Sequence, residues 1–195
     1  MRVLKSAWEW LLPRTDDRQV RIRAGLVIGA CLGVVAACVL IIVGWAVTGT
    51  LEDWETIVAA VVLAGLLAGI VFLARAGRVR LAAWLLVGLL ALLIAADIAE
   101  YGLGSPTAAA FCIPIVLAAC ALGLWAGLGV AAFASLAVWL VAAAGMAGWY
   151  TPLTLADISH LSFEAPVMTV IFLAVAGLVG GWIRATWPAE HQRNQ

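Results

Sequence analysis

Apolar residues fill most of this chain in long blocks, separated by short polar or glycine- and proline-containing connections. A bilayer core about 30 Å thick needs roughly 20 apolar residues in a helix that rises about 1.5 Å per residue. Six blocks reach or approach that length, and we predict a transmembrane helix in each. The predicted spans are 24–47, 51–74, 79–98, 106–124, 126–146 and 166–183.

Residues typical of helix starts support several of these boundaries. The segment Thr50 to Asp53 has capping-box spacing, and Ser105 followed by Pro106 offers an N-cap before a proline at the first helical position. The fourth and fifth blocks are nearly continuous, but a single helix of about 40 residues would be twice as long as the bilayer requires. We therefore predict a tight hairpin near 123–127. Pro114 lies inside the fourth block, where we expect it to kink the helix.

The composition identifies the solvent of this fold as lipid. Apolar residues make up 66% of the 195 residues and charged residues only 11%, whereas a soluble domain carries about 25% charged residues. This excludes a soluble enzyme, a nucleic-acid binder and a disulfide-stapled secreted domain, and it predicts an all-α polytopic membrane protein with a bundle of six helices. The four cysteines lie in apolar blocks without C-x-x-C spacing, as packing residues would. They are Cys31, Cys38, Cys112 and Cys120.

Positive charge is confined to one side of the six-span arrangement. Although 11 Lys and Arg balance 11 Asp and Glu, every Lys and Arg lies in the N-terminal tail, in the connection 75–80, or after the last span. This pattern predicts that both termini face the cytoplasm, in a bacterial inner (plasma) membrane. Residues 1–23 then form a cytoplasmic tail, which is either an interfacial amphipathic helix or a flexible segment, 24–183 the membrane domain, and 184–195 a short cytoplasmic tail.

The sequence offers little catalytic chemistry. No ionisable residue lies at mid-depth in a predicted span, which argues against a proton pump or an ion-coupled transporter. Serine chemistry would need a positioned base, and no Gly-rich nucleotide motif is present, so we expect a protein that is not an enzyme and binds no cofactor. One cluster remains, on the acidic outer side, which could bind a divalent cation or a cationic ligand, or could simply be a solvated acidic rim. It combines the end of the third span with the connection before the sixth: Asp97, Glu100, Tyr101, Asp157, His160 and Glu164.

Glycines at four-residue spacing predict close helix packing. Small residues let transmembrane backbones approach each other, either within one chain or between two copies in a homodimer. Both alternatives remain open from the sequence. The glycines with this spacing are Gly25, Gly29 and Gly33 in the first span, Gly65 and Gly69 in the second, and Gly177 and Gly181 in the sixth.

Several short motifs resemble the six-helix N-terminal membrane sensor region of bacterial sensor histidine kinases and related cyclases. They are Tyr101 to Pro106, Leu122 to Leu128, Gly77 to Arg80, and the tail with Pro13, Asp16 to Arg18 and Arg21 to Arg23. The resemblance implies a membrane module that perceives a signal and passes it to catalytic domains. Only 12 residues follow Ile183, so we expect either signalling through a partner protein or a truncated kinase. Two alternatives are an accessory subunit of a respiratory or photosynthetic complex, and a small vitamin-binding transporter component.

Overall fold

The structure is a computed structural model that describes residues 12–13, 17–48, 54–102, 106–149, 169–177 and 179. Within these ranges the chain forms helices and turns, without a β-strand. Residues 169–177 are helical as well. The other elements, in order, are α1 (Arg18–Thr48), α2 (Trp54–Arg75), α3 (Val79–Tyr101), a 3-10 helix (Pro106–Phe111), α4 (Cys112–Leu122) and α5 (Leu124–Met146).

Within the described residues, the prediction of an all-helical protein with helices apolar enough to span a membrane is confirmed. Four helices of the described chain are long and apolar enough to cross a bilayer. Their outward-facing side chains are also apolar; Val61 is 65% exposed and Phe72 71% exposed. Because lipid, unlike water, accommodates such surfaces, the chain is compatible with a multi-pass membrane protein. The four segments are Gln19–Leu40, Ile57–Arg75, Val79–Tyr101 and Leu124–Met146.

The remaining two predicted spans are described less completely. The apolar helical stretch Ala108–Leu122 within the predicted span 106–124 is shorter than the other four. Of the predicted span 166–183, only 169–177 and 179 are described. The predicted amphipathic helix of the tail and the capping segment Thr50 to Asp53 lie outside the described residues. The count of six spans and the direction of the termini therefore remain predictions.

Pro114 lies just after a change of helix type, and the kink expected at this residue stays a prediction. The chain is a 3-10 helix up to Phe111 and becomes α-helical at Cys112, so Pro114 is the third residue of α4. The first backbone N–H groups of an α-helix have no intrahelical acceptor, so a residue without an N–H is tolerated there. The side chain of Pro114 is fully buried.

The chain divides into two compact units, residues 1–86 and 87–195. In the first unit α1 packs along α2, and buried apolar residues also come from the first two turns of α3. Many of these side chains are small, which allows close approach of the helices. The buried residues of this unit are Ala24, Val27, Ile28, Cys31, Leu67, Ile70, Ala74, Val79, Ala82, Ala83 and Leu86.

The second unit is centred on the pair α4 and α5, which pack along each other. Its core also receives residues from the later part of α3 and from the segment 169–177. Phe111 and Phe172 are fully buried, and their rings meet edge to face with centroids 5.8 Å apart and planes at 71°. This contact joins the segment 169–177 to the start of α4. The core also contains Val87, Ala91, Ile98, Ala108, Ile115, Ala118, Val130, Ala131, Ala134, Val138, Ala142 and Ala176.

The turn between α4 and α5 consists of a single residue, Gly123. Its φ of 107° and ψ of 171° lie in a region that is essentially restricted to glycine. Its N–H donates to the carbonyls of Ala118 and Ala119, and its own carbonyl accepts from Ala126 and Gly127. The same residue therefore ends one helix and begins the next. The predicted hairpin segment 123–127 is thus two helices meeting at Gly123, and the helices do not continue as one.

Candidate functional site

Helix α3 carries charges of opposite sign at its two ends. Arg80 lies in the first turn, and Asp97 and Glu100 lie near the last. A helix dipole favours acidic residues at the N-terminus and basic residues at the C-terminus, so this arrangement is the reverse of what helix stability prefers. Arg80 and Asp97 are about 26 Å apart along the axis, close to the thickness of a hydrocarbon core. The pattern is unfavourable for the stability of the helix, and it is the one expected of a helix whose basic end faces the cytoplasm.

Half of the predicted outer cluster lies at the acidic end of α3. Asp97 is half-buried, Glu100 is exposed and Tyr101 is 40% exposed. The i, i+3 and i, i+4 spacing places Glu100 and Tyr101 beside Asp97 on the helix surface. Gly102 follows with a φ of 83° and ends the helix by donating its N–H to the carbonyl of Ile98.

The other half of that cluster is Asp157, His160 and Glu164, which lie outside the described residues. Within the described ranges, no group of three or more His, Cys, Asp or Glu side chains could hold a metal ion. The convergence of the two halves therefore remains a prediction.

The interior of the described chain holds a single buried polar side chain, Ser135. Its hydroxyl donates to the carbonyl of Ala131 one turn earlier, at 2.8 Å. A serine that bonds to its own helix in this way satisfies its polar group without a partner elsewhere. Ser135 is thus explained as a packing residue.

Five arginines whose side chains the structure describes share one end of the first unit. Arg21 and Arg23 lie in the first two turns of α1, Arg75 ends α2, and Arg78 and Arg80 lie at the α2–α3 connection. Because α1 and α2 are consecutive, packed along each other and joined by a short connection, the start of α1 lies beside the end of α2. The sequence pattern predicts that these arginines lie on one face of the membrane. In the structure they lie at one end of the first unit.

An apolar groove of about 200 Å³ runs between α1 and α2. It lies along the helices towards the end opposite the arginines. Sequence reasoning missed it, because an apolar lining is indistinguishable in the sequence from ordinary helix packing. The groove is lined by Val35, Cys38, Val39, Ile42, Ile57, Ala60, Val61, Leu63, Ala64 and Leu67.

The glycines predicted to pack helices differ in their surroundings. Gly25 and Gly29 are half-buried, whereas Gly33, Gly65, Gly69 and Gly177 are exposed. A Cβ placed on any of these four exposed glycines would have no neighbouring atom within 4 Å in the described chain. Gly181 lies outside the described residues. The role of these glycines in packing stays a prediction, and for the exposed four a partner would come from elsewhere.

The cysteines are free thiols, with Cys31 buried and Cys38, Cys112 and Cys120 half-buried. All four lie within helices α1 and α4. Their positions are those of small apolar packing residues.

Comparison with protein-family models, with curated proteins and with solved structures gives no match. The resemblance to the membrane region of sensor histidine kinases therefore rests on the short motifs of the sequence.

Proposed function

We propose that this chain is a non-enzymatic integral membrane module of six helices that senses a signal and acts through a partner protein. Both termini face the cytoplasm of a bacterial cell, and the chain lies in the inner membrane. The stimulus acts at the outer face or within the bilayer. The partner is a signalling protein bound at the inner face. The family resemblance of the sequence is the origin of this proposal.

The observation that carries the proposal is the charge distribution along α3. A basic start, an acidic end and an uncharged stretch of 16 residues between Arg80 and Asp97 are typical of a helix that crosses from a cytoplasmic to an outer face. A pump or an ion-coupled transporter needs ionisable groups within the bilayer, and the buried interior of the described chain offers only Ser135. The charge distribution and the apolar interior favour a module that transmits a signal or assembles with other proteins over one that transports ions.

Exposed tryptophans support a membrane-spanning orientation of α5. Trp125, near its start, is 78% exposed, and Trp149, just after its end, is 87% exposed. Helix α5 rises about 32 Å between Trp125 and Met146, close to the thickness of a hydrocarbon core, which supports an interfacial position for both tryptophans. Tryptophan is enriched at such depths.

A second candidate function is that of an accessory subunit in a larger membrane complex. The exposed face of α2 at Gly65 and Gly69 favours it, because small residues on an outer surface allow another transmembrane helix to approach closely. The transporter-component hypothesis gains less support. A vitamin-binding pocket needs polar groups that orient its ligand, and the groove between α1 and α2 is apolar.

Crosslinking in native cells distinguishes these functions. A photoreactive amino acid at Arg78 samples the predicted inner face, and one at Gly65 samples the bilayer-facing surface of α2. We expect the photoreactive residue at position 78 to capture a protein that carries a cytoplasmic kinase or cyclase domain. That protein is then reconstituted in proteoliposomes with and without this chain, and its autophosphorylation or cyclase rate is measured.

A change in that rate of at least threefold supports the sensor proposal. Stoichiometric capture of a respiratory or photosynthetic subunit at position 65, with no signalling protein at position 78, replaces it with the accessory-subunit function. Capture of a signalling protein whose rate does not respond to this chain contradicts the proposal.

A further inference from the structure

Among the side chains that the structure describes, arginines outnumber carboxylates at the arginine-rich end of the first unit. Among the side chains described there, five are arginines and one, Asp17, is a carboxylate. Oδ1 of Asp17 accepts from the backbone N–H of Gln19 at 2.8 Å and of Val20 at 3.4 Å. This carboxylate therefore caps the first turn of α1. Arg75 already makes an interaction within the chain and does not enter the argument below.

Arg23 is the least exposed of the arginines Arg21, Arg23, Arg78 and Arg80. Its side chain is half-buried, and its Nε is buried without a hydrogen-bond acceptor among the residues that the structure describes. A buried donor without an acceptor is destabilising, most of all on a charged group. The planar guanidinium, with donors at fixed angles, matches the oxygen atoms of a phosphate group.

The neighbours of these arginines are suited to lipid. Ile22, between Arg21 and Arg23, is 46% exposed, and Leu81, next to Arg80, is 47% exposed. Trp84, one turn further along α3, is 46% exposed. A water-soluble phosphate compound gains nothing from such apolar surface, whereas a phospholipid places acyl chains directly beneath its phosphate.

We propose that Arg21, Arg23, Arg78 and Arg80 form a binding site for the phosphate of an anionic phospholipid headgroup. Helices α1, α2 and α3 each contain a segment able to cross a bilayer, so the end that they share lies at headgroup depth. Basic side chains at that depth attract anionic lipids. The half-buried guanidinium of Arg23 supplies directed hydrogen bonds from its fork of N–H groups, and the three exposed arginines supply charge around it. This site does not depend on the proposed sensing function.

Native mass spectrometry of the full chain in detergent tests the site. The probes are dioleoyl phosphatidylglycerol, dioleoyl phosphatidylcholine and inorganic phosphate. We expect phosphatidylglycerol to bind at least tenfold more tightly than phosphatidylcholine. Inorganic phosphate at millimolar concentration should not compete. Equal binding of the two lipids, or displacement by inorganic phosphate, overturns the assignment to an anionic lipid.

Three variants distinguish a specific lipid site at Arg23 from general attraction of anionic lipid to positive charge. Arg23→Gln should weaken phosphatidylglycerol binding at least tenfold, and Arg23→Lys, which keeps the charge but loses the planar guanidinium, should weaken it several-fold. Arg193→Gln removes one charge from the predicted C-terminal tail and should have no effect. Equal losses in Arg23→Gln and Arg193→Gln contradict the site. If Arg23→Gln does not give a monodisperse helical protein, Arg78→Gln in the exposed turn provides the same test with an expected loss of at least threefold.

Discussion

Gly127 of α5 lies directly against Ala119 of α4. A Cβ on Gly127 would fall 2.8 Å from the Cβ of Ala119 and 3.2 Å from its Cα, which is closer than carbon atoms pack. The missing side chain of Gly127 therefore allows the two helices of the hairpin to approach closely here. Gly123, four residues earlier, supplies the turn, so two glycines at small-residue spacing build the hairpin.

Gly127→Ala should destabilise the protein. Ala119 is fully buried and cannot rotate away, so the helices must separate, and overpacking of this kind costs about 1–3 kcal/mol. The free energy of unfolding in mixed detergent and SDS micelles measures the effect. Gly129→Ala is the matched control in the same helix, because its Cβ would meet no atom within 4 Å. Equal stability of the two variants would contradict the close approach.

Gly123→Ala tests the turn. Its φ of 107° is strained for any residue with a Cβ, and we expect a loss of about 1–3 kcal/mol. The space around Gly123 is open, so the loss would come from the backbone and not from a clash. Gly88→Ala in α3 also has open space but no positive φ, and it should leave stability unchanged or raise it by up to about 1 kcal/mol. If Gly123→Ala leaves the free energy of unfolding unchanged, the turn does not depend on the positive φ of Gly123.

These glycines show which features of helix packing can be predicted from the sequence alone. The apolar blocks predict α1, α2, α3 and α5, because a helix in lipid must be apolar on every side. The blocks do not show which glycines meet a neighbour. Gly65 and Gly69 have the expected spacing and yet lie exposed, whereas Gly127 packs tightly. Its partner at the same spacing is the turn residue Gly123, so the pair did not stand out as a helix-packing motif.

The distribution of charges in the sequence predicted the arrangement of helix ends better than glycine spacing predicted helix contacts. Arginine sorting predicted that α1, α2 and α3 share a basic end, and the first unit has that arrangement. The buried Nε of Arg23 could not be foreseen, since its burial depends on the packing of α1. The change of helix type at Phe111 could not be foreseen either. Pro114 alone indicates that a backbone hydrogen bond is missing and does not say how the chain accommodates the loss.

The contact between Phe111 and Phe172 should stabilise the second unit. Phe172→Ala removes the edge-to-face pair and leaves a cavity, which costs about 3–5 kcal/mol in a water-soluble core. Lipid reduces the cost because the unfolded helix is also in an apolar medium, so we expect at least about 2 kcal/mol. Leu173→Ala, at a residue 46% exposed, should cost less than about 0.5 kcal/mol. Similar losses in both variants would argue against packing of this segment in the core.

The outer acidic cluster makes a separate prediction about metal binding. If Asp157, His160 and Glu164 join Asp97 and Glu100 around a cation, Mn²⁺ at a hundredfold excess over its Kd should stabilise the protein by about 2.7 kcal/mol. A thermal shift in detergent measures this. Combined replacement of Asp157, His160 and Glu164 by Ala should abolish the shift, and Glu190→Gln in the predicted C-terminal tail should preserve it. Absence of a shift in the parent protein would identify the cluster as a solvated rim.

The orientation of α3 can be tested at its two ends. In a background with the four native cysteines replaced by Ala, Arg78→Cys and Glu100→Cys each place one thiol on an exposed position at opposite ends of the helix. A membrane-impermeant maleimide added to intact spheroplasts should label position 100 at least tenfold more than position 78, because positive residues are retained on the cytoplasmic side. Both positions should react after permeabilisation. The reverse ratio would invert the topology, and equal labelling in intact cells would mean that α3 does not cross the membrane, although its length and composition allow it.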